Sequence, residues 1–453
     1  MWASVFDEFS DVDISAAAGS LFEPLAMDWV SSALQEVGVA TIRRRKLPVE
    51  QVVWLVAAMS LFSDRSLQEV VAHLGLALPS SKGKRGGAVA PSSVVRARER
   101  LGCEAVQLLC DQAGRAWDDQ HAEDNLWHGL RSYAVDGSTL RAPDTEDVMA
   151  VFGEGPKHGA ADSYPLVRVL MLFGIQTHLV RAARFGPGRG KGTAEIALFE
   201  SMLDEIPDHS VTVADKFFNA FGLFYRIHHG RSGQQPVERH FVVQAKKNAR
   251  FTVVRELGHG DAVVELGMTP QARKKDPGLP ARIQVRAISY CIGDKQRRLF
   301  TSLLDPERYP AVDIIELYGM RWEVELGYGE LKQDLLQGTP VLRSRKADGV
   351  HQEVWGIFIA FNLVRLQMLR VAKKAGVAAN RVSFRHSIHL VRIFCVVHIW
   401  ATAPSKIPTR LDELTEMLSL LLLPPKRRGR SFPRALKRPK SPYPNKKKAA
   451  KER

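Results

Sequence analysis

Apolar and polar positions follow different rhythms along the chain, and each rhythm predicts a different kind of element. Up to about residue 125 apolar residues recur at helical spacing, for example across 48–62, so this part is predicted to be mainly helical. From about residue 130 the apolar runs become short and rich in β-branched and aromatic residues, which favours strands. The predicted order is three strands, a helix and two further strands, at 132–135, 166–173, 178–183, 193–203, 211–214 and 240–244. This order favours an α/β fold with an RNase H-like core.

A second strand-rich stretch follows the predicted core. Its apolar runs at 262–266, 283–290 and 298–304 are separated by Gly and Pro, which predicts a β-rich insertion that interrupts the core. Helical spacing returns after residue 310. The predicted division is an N-terminal helical domain (1–125), the first part of the core (126–246), the insertion (247–310), the second part of the core (311–375), a C-terminal helical region (376–425) and a basic flexible tail (426–453).

Four polar residues between 317 and 336 form the most specific pattern in the chain. They stand at offsets 0, 3, 7 and 14, so at about 100° per residue they share a stripe about 60° wide on one helix face. The four are Tyr318, Arg321, Glu325 and Lys332. Apolar residues are predicted to flank the stripe, with Leu317, Val324, Tyr328, Leu331 and Leu335 on one side and Ile315, Trp322 and Leu326 on the other. The remaining acids are predicted to face solvent on the opposite side, namely Glu316, Glu323, Glu330 and Asp334.

Glu325 is therefore a carboxylate on the side of the helix that is predicted to face the core. Such a group is costly to bury unless it is paired or bound to a metal ion. Arg321 and Glu325 alone are also explained by an ordinary ion pair at positions i and i+4. The full stripe, which adds a phenol and an ammonium group, favours a functional site.

Two further acids are candidate partners of Glu325. Asp136 ends the first predicted strand and precedes Gly137, and Asp215 ends the fourth predicted strand. Alone, Asp before Gly is typical of a turn, and Asp after a strand is typical of a helix cap. Together, two acids at strand ends and one on a helix can converge on a hard cation such as Mg²⁺. Two such ions about 3.5 to 4 Å apart can clamp both oxygens of an in-line phosphoryl displacement.

These residues together resemble the motifs of the DDE transposases of the insertion sequence 4 family. The family motif around the third acid, Tyr-x2-Arg-x3-Glu-x6-Lys, is similar to the stripe that contains Glu325. The motifs of the first and second acids resemble Asp136-Gly137-Ser138 and Asp215 to Phe218. Further similar segments lie between 45 and 66 and between 342 and 363, so the resemblance covers nearly the whole chain.

The resemblance implies a transposase that moves DNA by a cut-and-paste reaction. Asp136, Asp215 and Glu325 would be its catalytic residues and the ligands of two Mg²⁺ ions, for which Mn²⁺ can substitute. The protein would cleave DNA at the terminal inverted repeats of an insertion element and transfer the freed strand to target DNA. A homodimer in a synaptic complex is also implied.

The resemblance also assigns roles in DNA binding. Tyr318, Arg321 and Lys332 would hold phosphates near the cut, Arg321 by two parallel hydrogen bonds and Lys332 as a point charge. In relatives an aromatic residue of the insertion can hold a flipped base. This insertion has no Trp, so Tyr290 or Phe300 would have to serve.

The N-terminal helices leave two interpretations open. Basic residues such as Arg96, Arg98 and Arg100 are predicted to contact DNA if these helices form a DNA-binding motif. The alternative is a small helical bundle that only packs on the catalytic domain. The family resemblance favours contacts to the DNA ends.

Charge is concentrated at the C-terminus. The chain has 64 Lys and Arg against 49 Asp and Glu, a net charge of +15. Residues 426–453 contain 13 Lys or Arg and a single acid, Glu452, so the tail carries +12 and the rest of the chain only +3. Such a Pro-rich basic segment is predicted to be flexible or extended and to bind a polyanion such as DNA. The alternative is a solvated tail that only improves solubility.

The compartment is predicted from what the sequence lacks. It shows no secretory signal pattern and no apolar run of the roughly 18 residues needed to span a bilayer. The four Cys residues lack CxxC spacing, which predicts reduced core thiols. We therefore expect a cytoplasmic, nucleoid-associated protein of a bacterium.

Two other classes of function stay open. A structure-selective RNase H-like nuclease with the same three acids would cut DNA without joining strands. A domesticated, non-cleaving DNA-binding protein would bind DNA without cutting it. The three intact acids disfavour the second class.

Overall fold

The computed structural model describes residues 25, 27–39, 47, 49–73, 90–155, 164–190, 194–230, 238–339, 341–401 and 407–424. The predicted basic tail at 426–453 lies outside these residues. Within them, helices and strands combine into a mixed α/β fold built on one large sheet.

The described strands all belong to this sheet. They are β1 (Leu126–Trp127), β2 (Leu130–Arg141), β3 (Leu166–Gly174), β4 (Val180–Pro187), β5 (Ser210–Ala214), β6 (Arg239–Gln244), β7 (Thr252–Gly258), β8 (Asp261–Gly267), β9 (Arg282–Ile292) and β10 (Lys295–Thr301). Their order is β4-β3-β2-β5-β6-β10-β9-β8-β7, and β1 pairs with β2 off this path. β2, β5 and β6 run parallel to one another, whereas the other neighbours are antiparallel.

Helices cover both faces of the central strands. They are α1 (Met27–Glu36), α2 (Val49–Leu61), α3 (Leu67–His73), α4 (Pro91–Leu101), α5 (Glu104–Gln120), α6 (Glu146–Phe152), α7 (Glu195–Ser201), α8 (Phe221–His229), α9 (Pro270–Lys275), α10 (Ala311–Gly319), α11 (Trp322–Gly329), α12 (Ala347–Ala375), α13 (Phe384–Ala401) and α14 (Ile407–Ser419). Because side chains alternate along a strand, β2 contributes to two cores. Tyr133 and Val135 pack with α7 and α8 on one face, and Ala134 packs in the larger core with α12 on the other.

The strand-rich stretch after β6 extends the same sheet. β10 pairs antiparallel with β6, and β9, β8 and β7 follow outwards. The runs predicted at 262–266, 283–290 and 298–304 overlap β8, β9 and β10. β7 was not predicted, because most of its residues are exposed at the end of the sheet and no buried apolar face marks it in the sequence.

α12 is the central helix of the larger core. A Cβ at Gly356 would lie 2.7 Å from the carbonyl oxygen of Val56, so the close contact between α12 and α2 requires Gly there. Among the described helices α12 alone is long and apolar enough to cross a membrane, yet 94% of its most apolar window is buried inside the protein. A buried core helix passes the same test, so these properties are weak grounds for a membrane span.

The helix predicted at 317–336 is divided into three parts. α10 ends at Gly319, α11 begins at Trp322, and Glu330–Leu335 form a π-helix. The prediction of one continuous α-helix is therefore wrong. Because a π-helix has a wider turn, a constant 100° per residue does not describe the segment that carries Lys332.

The acids predicted on the solvated face of this segment are mostly paired. Glu316 is exposed. The pairs are Glu323 with His178 (3.1 Å), Glu330 with Arg365 of α12, and Asp334 with Arg385 of α13 (4.0 Å). The prediction is wrong for these three acids, because α12, α13 and the loop after β3 supply Arg365, Arg385 and His178 as partners on that side. Periodicity within one helix cannot show which elements pack beside it.

Only one of the two predicted apolar flanks is fully buried. Leu317, Val324, Tyr328, Leu331 and Leu335 lie in the core. On the other flank Ile315 is half-buried against the core, but Trp322 is 59% exposed and Leu326 is 48% exposed. The stripe that contains Glu325 therefore lies at the boundary between the core and solvent.

Two further predictions need correction. Arg98 of α4 does not face solvent: it is buried and donates hydrogen bonds to Gln352 Oε1 at 3.1 Å, Ser344 Oγ at 3.0 Å and the Gly349 carbonyl at 3.0 Å. It thus ties α4 to α12, whereas Arg96 and Arg100 are exposed. All four Cys are free, but only Cys110 and Cys395 are buried, and Cys291 is exposed.

Candidate active site

Asp136 and Asp215 are adjacent because of the register between β2 and β5. The last parallel pair of these strands is Val135 with Ala214, and each Asp is the next residue along the chain. Neighbouring strands are about 4.8 Å apart, so the two acids lie side by side just beyond the last residue pair that the strands share. Asp215 follows the end of β5 as predicted.

The prediction that the first strand ends at Asp136 is wrong. β2 continues through Asp136 to Arg141, because β3 pairs with it over this length, with Asp136 opposite Met171. Gly137 is part of the strand, and its N–H donates to Asp136 Oδ1 at 2.8 Å. The Asp-Gly pair suggested a turn because local sequence does not show that a third strand supports β2 here.

Arg321 joins Glu325 to Asp136. Its Nη2 lies 2.8 Å from Glu325 Oε1, and its Nη1 lies 3.7 Å from Asp136 Oδ2. Arg321 precedes the first residue of α11, so the break between α10 and α11 is the place from which this guanidinium reaches β2. The ion pair between Arg321 and Glu325, at positions i and i+4, is therefore present. Arg321 also contacts Asp136, which lies 185 positions earlier in the chain.

The three acids influence one another electrostatically. Burial raises the pKa of Asp136 to about 6, against the lowering effects of the Gly137 N–H and of Arg321. The negative charges of Glu325 and Asp215 raise this pKa further. Three carboxylates that repel one another need a compensating cation, and Arg321 supplies one.

Tyr318 and Lys332 approach the same end of the central strands. The Tyr318 hydroxyl donates to Gln244 Oε1 at 3.0 Å, at the end of β6, and burial raises the pKa of Tyr318 to about 12. Lys332 Nζ donates to Ser138 Oγ at 2.6 Å on β2, and burial lowers the pKa of Lys332. All six residues singled out in the sequence thus lie around the ends of β5 and β6 and the adjoining part of β2.

Some contacts at this site were not anticipated. Tyr328, predicted only as an apolar flank, donates its hydroxyl to the carbonyls of Asp136 at 2.9 Å and Val169 at 3.3 Å. It thereby anchors α11 to the backbone of β2 behind the acid. No sequence signal marks this role, because its partners are main-chain carbonyls. Of the two aromatics considered for base stacking, Phe300 is buried in the core and Tyr290 is half-buried near Arg321.

The donors at this site suit a hard divalent cation, but they are not gathered around one position. Carboxylate oxygens are the ligands that Mg²⁺ prefers. Nevertheless, across the part of the chain that the structure describes, no group of three or more His, Cys, Asp or Glu side chains is arranged to hold one metal ion. Arg321 lies between Asp136 and Glu325 and separates them. A cation held by all three acids requires Arg321 to move away.

Carboxylates flanked by guanidinium, ammonium and phenol groups, on a mixed sheet covered by helices, have the chemistry of phosphoryl-transfer enzymes that act on polyanions. Comparison with known sequences gives a narrower result. The family described as insertion element 4 transposase N-terminal matches residues 15–111, and the transposase DDE domain family matches residues 127–363. The chain therefore belongs to the DDE transposases of the insertion sequence 4 family.

Individual relatives agree with this membership. Transposase InsG for insertion sequence element IS4 of Escherichia coli (strain K12) is 35% identical over 426 residues, covering 94% of this chain and 93% of the relative. Putative transposase InsZ of the same strain is 32% identical over 242 residues, covering 52% of this chain and 74% of the relative. Among solved structures, a chain of the piggyBac transposase synaptic complex with hairpin DNA aligns with a TM-score of 0.37 and 14% identity over 93% of this chain and 87% of that chain.

Membership establishes the general function. The protein is a DNA transposase, a polynucleotidyl transferase whose partner is DNA. DDE domains in general depend on a divalent metal ion.

Proposed function

We propose that the protein cleaves DNA at the ends of an insertion element and joins the freed strand to target DNA, with Asp136, Asp215 and Glu325 as its catalytic residues. The observation that carries this proposal is the contact of one guanidinium, Arg321, with Asp136 and Glu325, while Asp215 lies beside Asp136 at the last parallel rung. The three acids would hold two Mg²⁺ ions, or Mn²⁺ in their place. When bound, such ions activate the attacking oxygen and stabilise the leaving oxygen.

The remaining polar groups would position the DNA. Arg321 would exchange its contacts to Asp136 and Glu325 for a phosphate, to which a guanidinium can donate two parallel hydrogen bonds. Tyr318 and Lys332 already point towards the same region, so they would hold the neighbouring phosphates. The exposed side of α11, with Trp322 and Leu326, leaves the site open to a large substrate.

We also propose that the core is RNase H-like. The order β4-β3-β2-β5-β6 supports this assignment, because it places the two Asp residues on adjacent parallel strands at its centre. In this proposal residues 247–310 are an insertion into the core and residues 311–375 are its second part. The helices within 1–125 would contact DNA ends through exposed residues such as Arg96 and Arg100.

The active assembly would be a homodimer that holds two element ends in a synaptic complex. In a bacterium the protein would act in the cytoplasm, on the nucleoid. A dimer fits the proposed reaction, since two ends must be brought together before a segment between them can be moved. Sedimentation of the protein with and without end DNA tests the dimer.

The proposed reaction is tested directly with the DNA that flanks the reading frame. Short inverted repeats bounded by a direct duplication would identify the element ends. Purified protein should cleave these ends in Mg²⁺ and join them to a target plasmid, whereas EDTA should stop both steps. Cleavage without joining would indicate the structure-selective nuclease, and binding without cleavage in Mg²⁺ or Mn²⁺ would indicate a domesticated DNA-binding protein.

Lys332→Ala should weaken cleavage of element ends roughly 10- to 100-fold, the equivalent of one hydrogen bond to a charged group. Nonspecific DNA binding should change much less, because Lys332 lies against Ser138 of β2 rather than on an open surface. The measurements are the single-turnover cleavage rate and the Kd for an unrelated duplex. Lys374→Ala is the matched control, because Lys374 is an exposed residue at the end of α12 that pairs with Glu416. This control should change neither the cleavage rate nor the Kd. Equal losses in both assays would argue against a local phosphate contact.

Deletion of residues 426–453 should make DNA binding less sensitive to salt. Each phosphate contact that is lost removes about 0.9 from the slope of log K against log salt concentration, and the tail carries 13 Lys or Arg. The Kd for duplex DNA should be measured at several salt concentrations for the full chain, the deletion and a variant with the same tail residues in scrambled order. The scrambled tail should keep the original slope, because phosphate contacts carry no sequence information. A slope unchanged by the deletion would mean that the tail does not bind DNA.

A further inference from the structure

A fourth carboxylate lies beside the candidate active site. Glu195 is the first residue of α7, the helix that precedes β5 in the chain. It contacts β2 at Gly137, between Asp136 and Ser138. A Cβ built on Gly137 would lie 2.4 Å from Glu195 Cδ and 2.6 Å from its Oε1. The carboxyl group of Glu195 therefore occupies the space that any side chain at position 137 would take.

The sheet is open at this point. β5 pairs with β2 only as far as Val135, so no strand covers that edge of β2 at Gly137. Gly137 faces α7, because side chains alternate along β2 and Val135 packs on the α7 side. A long side chain from α7 can thus reach past the end of β5 towards the acids on the other face. The absence of a side chain at Gly137 makes this path available.

Glu195 has no close partner among the described residues. They provide neither a hydrogen bond nor an ion pair within 4 Å for its carboxylate, although it is half-buried. Burial raises its pKa, Arg168 lowers it, and the negative charge of Asp215 raises it again. Asp215 is therefore close enough to repel Glu195. A half-buried carboxylate held near another acid, with no cation within 4 Å among the described residues, is costly in isolation, and a divalent ion would remove that cost.

We propose that Glu195 is a fourth acidic residue of the cation site, contributing a carboxylate oxygen on the Asp215 side to a hard divalent ion of the Mg²⁺ class. This inference deepens the proposed function and rests on it. It explains why an acid starts α7 at this position and why β2 has Gly beside Asp136. It also assigns a functional contact to a residue that belongs to none of the motifs recognised in the sequence.

Binding of Mn²⁺ alone to the full chain, measured by calorimetry without DNA, tests the proposal independently of activity. Glu195→Gln preserves the size of the side chain and should weaken Mn²⁺ binding by about 10-fold or more, the scale of losing one group that supports a metal site. Glu200→Gln, in the same helix, is the matched control: Glu200 pairs with Lys275 and Arg226 away from the acids, so Mn²⁺ affinity should not change. Thermal unfolding of each variant should confirm that it is folded.

Gly137→Ala provides a second route to the same result. The added methyl group should displace the flexible end of Glu195 rather than the backbone, so Mn²⁺ affinity should again fall. The double variant should lose little more than either single variant, because both changes remove the same contact. The Mg²⁺ concentration that gives half-maximal cleavage should rise in parallel.

Asp136→Asn separates failure of this inference from failure of the proposed function. Unchanged Mn²⁺ affinity in Glu195→Gln overturns the role of Glu195. If Asp136→Asn then weakens binding, the cation site and the proposed function stand without Glu195. If neither variant changes Mn²⁺ affinity, both proposals fail.

Discussion

Replacing Glu325 by Gln should abolish strand cleavage at the element ends while leaving binding to those ends largely intact. The change removes one of three negative charges that would hold the divalent ions, and Gln is a poorer ligand of nearly the same size. The loss should be at least about 10³-fold, the scale on which a single charged group changes the rate of phosphoryl transfer. The single-turnover rate of end cleavage and the Kd for end DNA measure the two quantities separately.

The control for this variant is Glu316→Gln, one helix earlier. Glu316 is exposed on α10, so its replacement should leave cleavage unchanged. Arg321 would also lose its 2.8 Å ion pair in Glu325→Gln. A freed guanidinium can hold phosphate at least as well as before, so end binding should not fall. Cleavage near the original rate would remove Glu325 from the catalytic residues.

Asp261→Ala should destabilise the protein by about 3 to 5 kcal/mol, the usual cost of removing one partner from a buried ion pair. Asp261 of β8 accepts two hydrogen bonds from Arg286 of β9, from Nε at 2.7 Å and from Nη2 at 2.5 Å. Arg286 is completely buried, and its Nη1 donates to the Tyr309 carbonyl at 2.7 Å, just before α10. Without Asp261, a buried guanidinium would lose its counter-charge. Urea unfolding of the full chain should show the loss as a lower midpoint.

Glu265→Ala on the same strand is the matched comparison. Glu265 pairs with Arg282 at 2.6 Å, but the Arg282 side chain is 71% exposed. Exposed pairs contribute about 0 to 1 kcal/mol, so this variant should unfold close to the original midpoint. Equal effects of the two substitutions would mean that burial of Arg286 does not determine the strength of its pair.

Since Arg286 also contacts the segment before α10, Asp261→Ala should lower end cleavage more than Glu265→Ala does.

Spacing within one segment revealed much of the candidate site. Tyr318, Arg321, Glu325 and Lys332 were singled out by their offsets alone, and the structure directs all four towards the ends of the central strands. The four side chains share one region although the segment is not one continuous α-helix. Contacts with β2 and β6 hold these side chains in place on both sides of the helix break. The same periodicity misassigned the acids outside the stripe, since their partners come from other elements.

Contacts between distant parts of the chain lay beyond sequence analysis. Arg98 looked like one of several surface cations, but its hydrogen-bond partners lie about 250 positions later, in and before α12. Glu195 lies in no recognised motif, and only the path of α7 past the end of β5 brings it to Gly137. In both cases the side chain alone does not reveal whether it meets solvent or another element.

The sequence by itself determined the strand and helix rhythms of the central region, the concentration of charge in the tail, and the residue types that carry the family motifs. These properties depend only on residues close together in the chain, so they can be read from the spacing of those residues. Only the tertiary structure decided that β2 continues through Asp136, that Asp136 and Asp215 leave one rung together, and that Arg321 lies between two acids. The reason is that register between strands and pairing between charges depend on segments far apart in the chain, which meet only when the whole sheet and its helices pack.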